Sequence, residues 1–242
     1  MESSSTIVLP GLDGTDLLLD GFIKLAPESH SCRVIALPDD PNDNYESLFG
    51  KLLSQLRDYQ SCHLIAESFS GPVAILLAHQ HPELIERLTL VASFADSPVP
   101  FAGRFLPWSL LVRVTIPRMI ARRYFVGADR EMAAKLIDAI GQTSPATLAK
   151  RINLLMNVDV CNELAQIRCP IRYIRPTGDR LVPQRCVDKI ANVNERVAFR
   201  EIDGPHLIMQ TRPAQVWSAI VDGDAECPDN NAMNRSREAG RF

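Results

Sequence analysis

No stretch of the 242-residue chain approaches the roughly 18 unbroken apolar residues of a membrane span. The start, Met1-Glu2-Ser3-Ser4-Ser5, lacks the basic region that opens a secretory signal, and the apolar run behind it is short. A cytoplasmic location is the expectation. The formal net charge of −3 offers no bulk attraction to nucleic acid or to an anionic membrane. None of the six cysteines pairs with another at metal-ligand spacing. Cys32 and Cys62 fall in or beside apolar strand-like runs and read as free thiols. Phosphate-loop and dinucleotide fingerprints are missing, as are internal repeats. What the chain does have is a hydrophobic share of 46%, enough for one substantial core.

Residues 6–9 form a short apolar run that ends in Leu9-Pro10-Gly11-Leu12-Asp13-Gly14-Thr15. Residues 17–26 read as a helix and residues 33–37 as a strand closed by Pro38. Residues 45–59 have helical spacing, with Leu48, Leu52 and Leu56 on one face. A strand at 62–66, a helix from Pro72 and a strand at 88–92 follow. Strands alternating with helices imply a parallel sheet covered on both faces. From Ser93 to about Gln166 the alternation stops and only helices are expected, one of them capped by Ser144 with Pro145 in its first turn. Strands resume at 171–175 and 197–202, a last helix follows Pro213, and the polar tail from about Gly223 is expected to be disordered.

Ala66-Glu67-Ser68-Phe69-Ser70-Gly71 sits between the strand at 62–66 and the next helix. A serine at the tip of a strand-to-helix turn stands clear of the sheet edge, as a nucleophile must. The amide of Phe69 then lies beside it and can donate to a developing oxyanion. A hydroxyl needs a base, and the base an orienting acid. Asp179 follows the strand at 171–175, and His206 follows the strand at 197–202 on Asp203-Gly204-Pro205.

Through the loop Leu9 to Thr15, the turn around Ser68, Gly178-Asp179-Arg180-Leu181-Val182-Pro183 and Gly204-Pro205-His206, the chain resembles the α/β-hydrolases, in the branch of small esterase-like enzymes with a helical lid. The resemblance spans about residues 6–222. It implies Ser68 as nucleophile, His206 as general base, Asp179 as orienting acid, and the backbone amides of Leu12 and Phe69 as oxyanion donors. It further implies a shortened sheet of about six mostly parallel strands, a core of residues 1–93 and 167–222, and a lid of residues 94–166. The usual glycines flanking the nucleophile are here Ala66 and Ser70, and Pro10 stands where the family's oxyanion loop has histidine. The implied activity is hydrolysis of a small acyl ester or thioester through an acyl-enzyme, with no metal or organic cofactor. Acyl transfer, lyase chemistry and carbon–carbon cleavage use the same constellation, and a non-catalytic binding protein on this fold is the alternative from another class.

Several residues carry competing readings. Asp96 is a rival for the acid, because some hydrolases place it after the preceding strand. Ser70 could compete as nucleophile, one helical step late. Glu67 reads as a solvated turn residue or, turned inward, as a support for a protonated His206. His63, His79 and His81 read as structural. Arg104, Arg113, Arg118, Arg122 and Arg123 form either a solvated face or a docking surface for an anionic substrate or an acidic acyl carrier protein. Phe101, Phe105, Trp108 and Phe125 either pack the lid or line an acyl pocket.

Overall fold

The computed structural model describes residues 4–28, 30–99 and 118–222. Its centre is a sheet of six parallel strands in the order β2-β1-β3-β4-β5-β6. The strands are β1 (Ser4–Leu9), β2 (His30–Val34), β3 (Cys62–Glu67), β4 (Ile85–Val91), β5 (Ile171–Pro176) and β6 (Val197–Ile202). β2 begins earlier than its apolar pattern suggested. Its register against β1 runs from Ser4↔His30 to Val8↔Val34, and Ile35 and Leu37 then donate their amides to the carbonyls of Val8 and Gly14.

Alternate residues of each strand supply two cores. Ile7, Leu9, Leu64, Ala66, Leu88, Leu90 and Tyr173 point into the larger one. Helices α2 (Tyr45–Leu56) and α3 (Gly71–Gln80) cover that face. The expected stripe of Leu48, Leu52 and Leu56 is buried there, and Asn44 and Ser47 cap α2 reciprocally. Val8, Ile65, Val91 and Ile174 point to the opposite face, covered by α1 (Asp20–Lys24), which is shorter than the helix read at 17–26, and by the chain's last helices. Side chains of period two, buried on both sides, are what a parallel sheet between helical layers requires.

Between β4 and β5 the described chain is helical, with one isolated bridge, Asp96↔Asp159. Helix α4 (Arg118–Ile120) winds on into a π turn, Ala121–Val126, and ends at Gly127 with φ of 68°. Helix α5 (Arg130–Gln142) is capped by Asp129. Helix α6 (Pro145–Asn157) starts where the sequence placed it, with the Ser144 side chain accepting from the Thr147 amide. Helix α7 (Cys161–Gln166) sends Cys161 and Leu164 into the larger core. After β5 come α8 (Gln184–Val193), β6, α9 (Ile208–Thr211) and α10 (Pro213–Val221). Phe101, Arg104, Phe105, Trp108 and Arg113 and the tail from Gly223 lie outside the described residues. The five cysteines among the described residues are free. No helix among the described residues is long and apolar enough to cross a membrane.

Candidate active site

β1 and β3 are neighbours, while the chain reaches β2 on one side of β1 and β3 on the other. The loops after β1 and β3 therefore diverge at their carboxyl ends, where a doubly wound sheet opens its crevice. Ser68 sits at the end of β3 with φ of 47°. A left-handed non-glycine residue is strained and needs its surroundings to hold it. Here the Ser68 carbonyl accepts from the Gly71 amide and from the Ser93 hydroxyl at 2.7 Å. Gly71 lies so close to β4 that a Cβ there would stand 1.7 Å from Ser93 Oγ. The glycine this turn needs is thus residue 71, one step later than the usual spacing.

The position that usually carries that glycine is Ser70, which is buried and donates its hydroxyl to the Pro10 carbonyl at 2.5 Å. Its hydroxyl is committed to bracing the loop after β1, so it is not a free rival to Ser68. That bond also ties down the loop in which Pro10 replaces histidine. Gly14 closes the loop with its amide on the Gly11 carbonyl at 3.1 Å and φ of 75°. The two amides expected to face an oxyanion are oriented by these bonds. A trans peptide is planar, so its N–H points opposite to its carbonyl. Tying the Ser68 carbonyl aims the Phe69 amide, and tying the Gly11 carbonyl aims the Leu12 amide.

Asp179 and His206 arrive from the loops after β5 and β6. Those loops touch through the Gly178 amide, which donates to the Gly204 carbonyl at 2.9 Å. A Cβ on Gly178 would lie 2.8 Å from that carbonyl, so glycine is required by the close approach. His206 is buried, with Nδ1 2.8 Å from Asp179 Oδ2 and Nε2 3.0 Å from Ser68 Oγ. A carboxylate only accepts, so Nδ1 carries the proton and Nε2 offers a lone pair to the serine hydroxyl. Asp179 also accepts from the amides of Leu181 at 2.8 Å and Val182 at 3.1 Å. Burial opposes ionisation of Asp179, but the charge and hydrogen bond of His206 and these two amides outweigh it and lower its pKa. Burial likewise opposes protonation of His206, yet Asp179, with a further contribution from Glu67, raises its pKa above the ordinary histidine value. Asp96 faces elsewhere: its Oδ2 is 3.6 Å from Arg185 Nη1.

Glu67 is not solvated. It is 2% exposed, and its Oε2 accepts from Gln210 Nε2 of α9 at 3.0 Å. Burial, aided by Asp13, pushes its pKa up to about 7, against the Gln210 side chain, His206 and the Gly11 amide. Burial pushes the His63 pKa down to about 3, and the ring, held neutral, bonds Thr89 Oγ1 at 2.8 Å. His81 is 2.9 Å from Glu83. Phe125 presents its ring edge-on to the His206 imidazole at 6.2 Å, and its carbonyl accepts the Leu207 amide at 2.9 Å. Arg118 and Arg123 are exposed and Arg122 is half-buried. The sequence reading missed Arg151 altogether. This buried side chain of α6 reaches the carbonyls of Leu12 and Pro38. No spacing rule marks a lone arginine inside an amphipathic helix. Among the described residues no group of three or more His, Cys, Asp or Glu could hold a metal ion.

No protein-family profile matches the chain. It is 25% identical over 178 residues to the putative carbamate hydrolase RutD of Caulobacter sp. (strain K31), a match covering 67% of this chain and 65% of that protein. It is 26% identical over 145 residues to the pimeloyl-[acyl-carrier protein] methyl ester esterase of Aromatoleum aromaticum, covering 51% of this chain and 58% of that protein. The matches thus span less than two thirds of either relative. The crystal structure of the enol-lactonase from Burkholderia xenovorans LB400 superposes with a TM-score of 0.79, at 18% identity, over 93% of each chain. The structural likeness shows that the chain has the α/β-hydrolase fold.

Proposed function

We propose that the protein is a serine hydrolase that cleaves a small carboxylic ester or thioester through an acyl-enzyme on Ser68. The observation that carries this reading is the unbroken chain from Ser68 Oγ to His206 at 3.0 Å and on to Asp179 at 2.8 Å, set on a left-handed serine. In this mechanism His206 Nε2 takes the serine proton as Oγ attacks the acyl carbon. The tetrahedral oxyanion forms between the amides of Leu12 and Phe69. His206 then returns the proton to the leaving oxygen or sulfur, and Asp179 stabilises the transient imidazolium. Water, activated by the same histidine, releases the acid. The helices between β4 and β5 would form the lid over this site, with Phe125 against the base. Labelling with a fluorophosphonate, followed by mapping of the adduct, tests the assignment. The adduct should fall on Ser68 and vanish in Ser68→Ala. Folded protein that gives no adduct, and no turnover of p-nitrophenyl esters or short acyl thioesters, would instead favour the non-catalytic binding protein.

A narrower reading takes an ester borne on an acidic acyl carrier protein as the substrate. Two observations favour it: exposed Arg118 and Arg123 on the helical stretch that leads to Phe125, and the likeness to an esterase of carrier-linked methyl esters. Comparing turnover of a free short ester with that of the same ester on a carrier tests it. Equal efficiency on both would leave the arginines as a solvated face.

A further inference from the structure

Among the described residues between β4 and β5, Arg151 is the buried cation that reaches the expected oxyanion donors. It is 3% exposed. Nη1 donates to the Leu12 carbonyl at 2.8 Å and Nη2 to the Pro38 carbonyl at 2.9 Å. The guanidinium carbon lies 5.8 Å from the centre of the Phe69 ring, within cation–π range. Phe69 is pressed from another side by Tyr45, whose ring stacks on it at 5.3 Å and whose hydroxyl donates to the Phe69 carbonyl at 3.3 Å. One side chain therefore touches both residues whose amides would hold the oxyanion.

The surroundings are built for it. A Cβ on Gly14 would lie 2.4 Å from Arg151 Nη1, so the loop leaves a glycine-sized space that the guanidinium fills. Burial lowers the guanidinium pKa, opposed by the charges of Asp13, Asp39 and Asp43. Neighbouring residues grip the same loops. Thr143 Oγ1 donates to the Asp13 carbonyl at 2.6 Å, and the amide and hydroxyl of Ser144 donate to Asp39 at 3.0 and 2.9 Å.

We propose that Arg151 is a positioning residue for the oxyanion hole: by clamping the Leu12 carbonyl and packing on the Phe69 ring, it holds the two donor amides and couples docking of the insertion to their geometry. The proposal rests on the serine hydrolase reading above. The Gly11–Gly14 bond fixes one side of Leu12 and the guanidinium fixes the peptide on the other side, so the Leu12 amide cannot swing. The Coulomb field of the cation adds to that of the donor amides.

The test uses Arg151→Met, which keeps the apolar stem, and Arg151→Lys, which keeps the charge but loses the planar fork that reaches two carbonyls. Each is assayed with p-nitrophenyl butyrate and with an alkyl trifluoromethyl ketone, which forms a tetrahedral oxyanion on serine. Arg151→Met should lower kcat by about 100-fold, the scale of a misplaced catalytic contact, with KM changed less than about threefold. Affinity for the ketone should fall by the same factor as kcat/KM. Arg151→Lys should fold, because the cation stays among the three aspartates, and should lose about tenfold in kcat. A lower unfolding midpoint with kcat and ketone affinity intact would overturn the proposal and leave Arg151 a structural tether. Ser68→Ala separates the two failures. Full turnover in Ser68→Ala sinks the hydrolase reading, whereas its inactivity beside fully active Arg151 variants sinks only the positioning role.

Discussion

Gly71→Ala probes whether the displaced glycine of the elbow is a packing requirement. The backbone at residue 71 is ordinary right-handed helix, with φ of −56°, so alanine is conformationally allowed. Judged by helix propensity and unfolded-state entropy, the change should stabilise by up to about 1 kcal/mol. Contact geometry says otherwise. The new Cβ would stand 1.7 Å from Ser93 Oγ and 2.9 Å from Ser93 Cβ. Rotating the hydroxyl away would relieve the first clash but break its bond to the Ser68 carbonyl, and the second clash would persist. Ser93 cannot retreat, because its own carbonyl accepts the buried Tyr173 hydroxyl at 2.6 Å. Overpacking costs about 1–3 kcal/mol and a buried polar group stripped of its partner about 1–3 kcal/mol. The net expectation is a loss of about 3 kcal/mol, with slower fluorophosphonate labelling because the Phe69 amide shares the loosened peptide. Urea unfolding followed through buried Trp217, stacked on Phe22 at 4.5 Å, measures the stability. Ser93→Gly removes both clashing atoms, so the double variant should be less destabilised than the two single losses added, by about 2 kcal/mol. A Gly71→Ala protein as stable as the parent, or additivity within about 0.5 kcal/mol, would refute the argument.

Asp179→Asn should lower kcat by about three to four powers of ten, since the amide supports the wrong histidine tautomer. Asp96→Asn should cost less than about tenfold, because it forfeits only a partly exposed ion pair with Arg185; steady-state rates of the two variants decide between them. Glu67→Gln keeps the shape and removes the charge. The Glu67 pKa is raised from 4.5 to about 7, so its contribution to stability is present below about pH 4.5 and is lost as pH rises through 7. At pH 8 the variant should be more stable than the parent by about 3 kcal/mol in denaturant titrations, with no such gain at pH 4.5. Losing that negative charge also lowers the His206 pKa, so the rising limb of kcat/KM against pH should move to lower pH. Reversing Arg118 and Arg123 to glutamate should slow only a carrier-linked ester, and only at low salt, as expected for rim charges worth about 0.2–1 kcal/mol each.

Much of this molecule was legible from local pattern. Apolar runs of strand length alternating with a Leu48–Leu52–Leu56 stripe require a parallel sheet between helices, because each buried face needs a partner layer. The cap at Ser144 and Pro145 is local chemistry and was found where Ser144 bonds the Thr147 amide. The order of Ser68, Asp179 and His206, each just past a strand, could be read from the chain alone, since a parallel sheet gathers all strand ends at one edge. Other features exist only through long-range contact. That the elbow glycine is residue 71 follows from how closely α3 crosses Ser93, some 22 residues on. Asp179 rather than Asp96 faces the imidazole because Gly178 lets one loop press onto Gly204, while Arg185 engages the other acid. The inward turn of Glu67 and the reach of Arg151 to Leu12, 139 positions away, leave no periodic trace. Sequence period reports which face of an element is buried; which polar group on that face meets which partner is decided when the loops close.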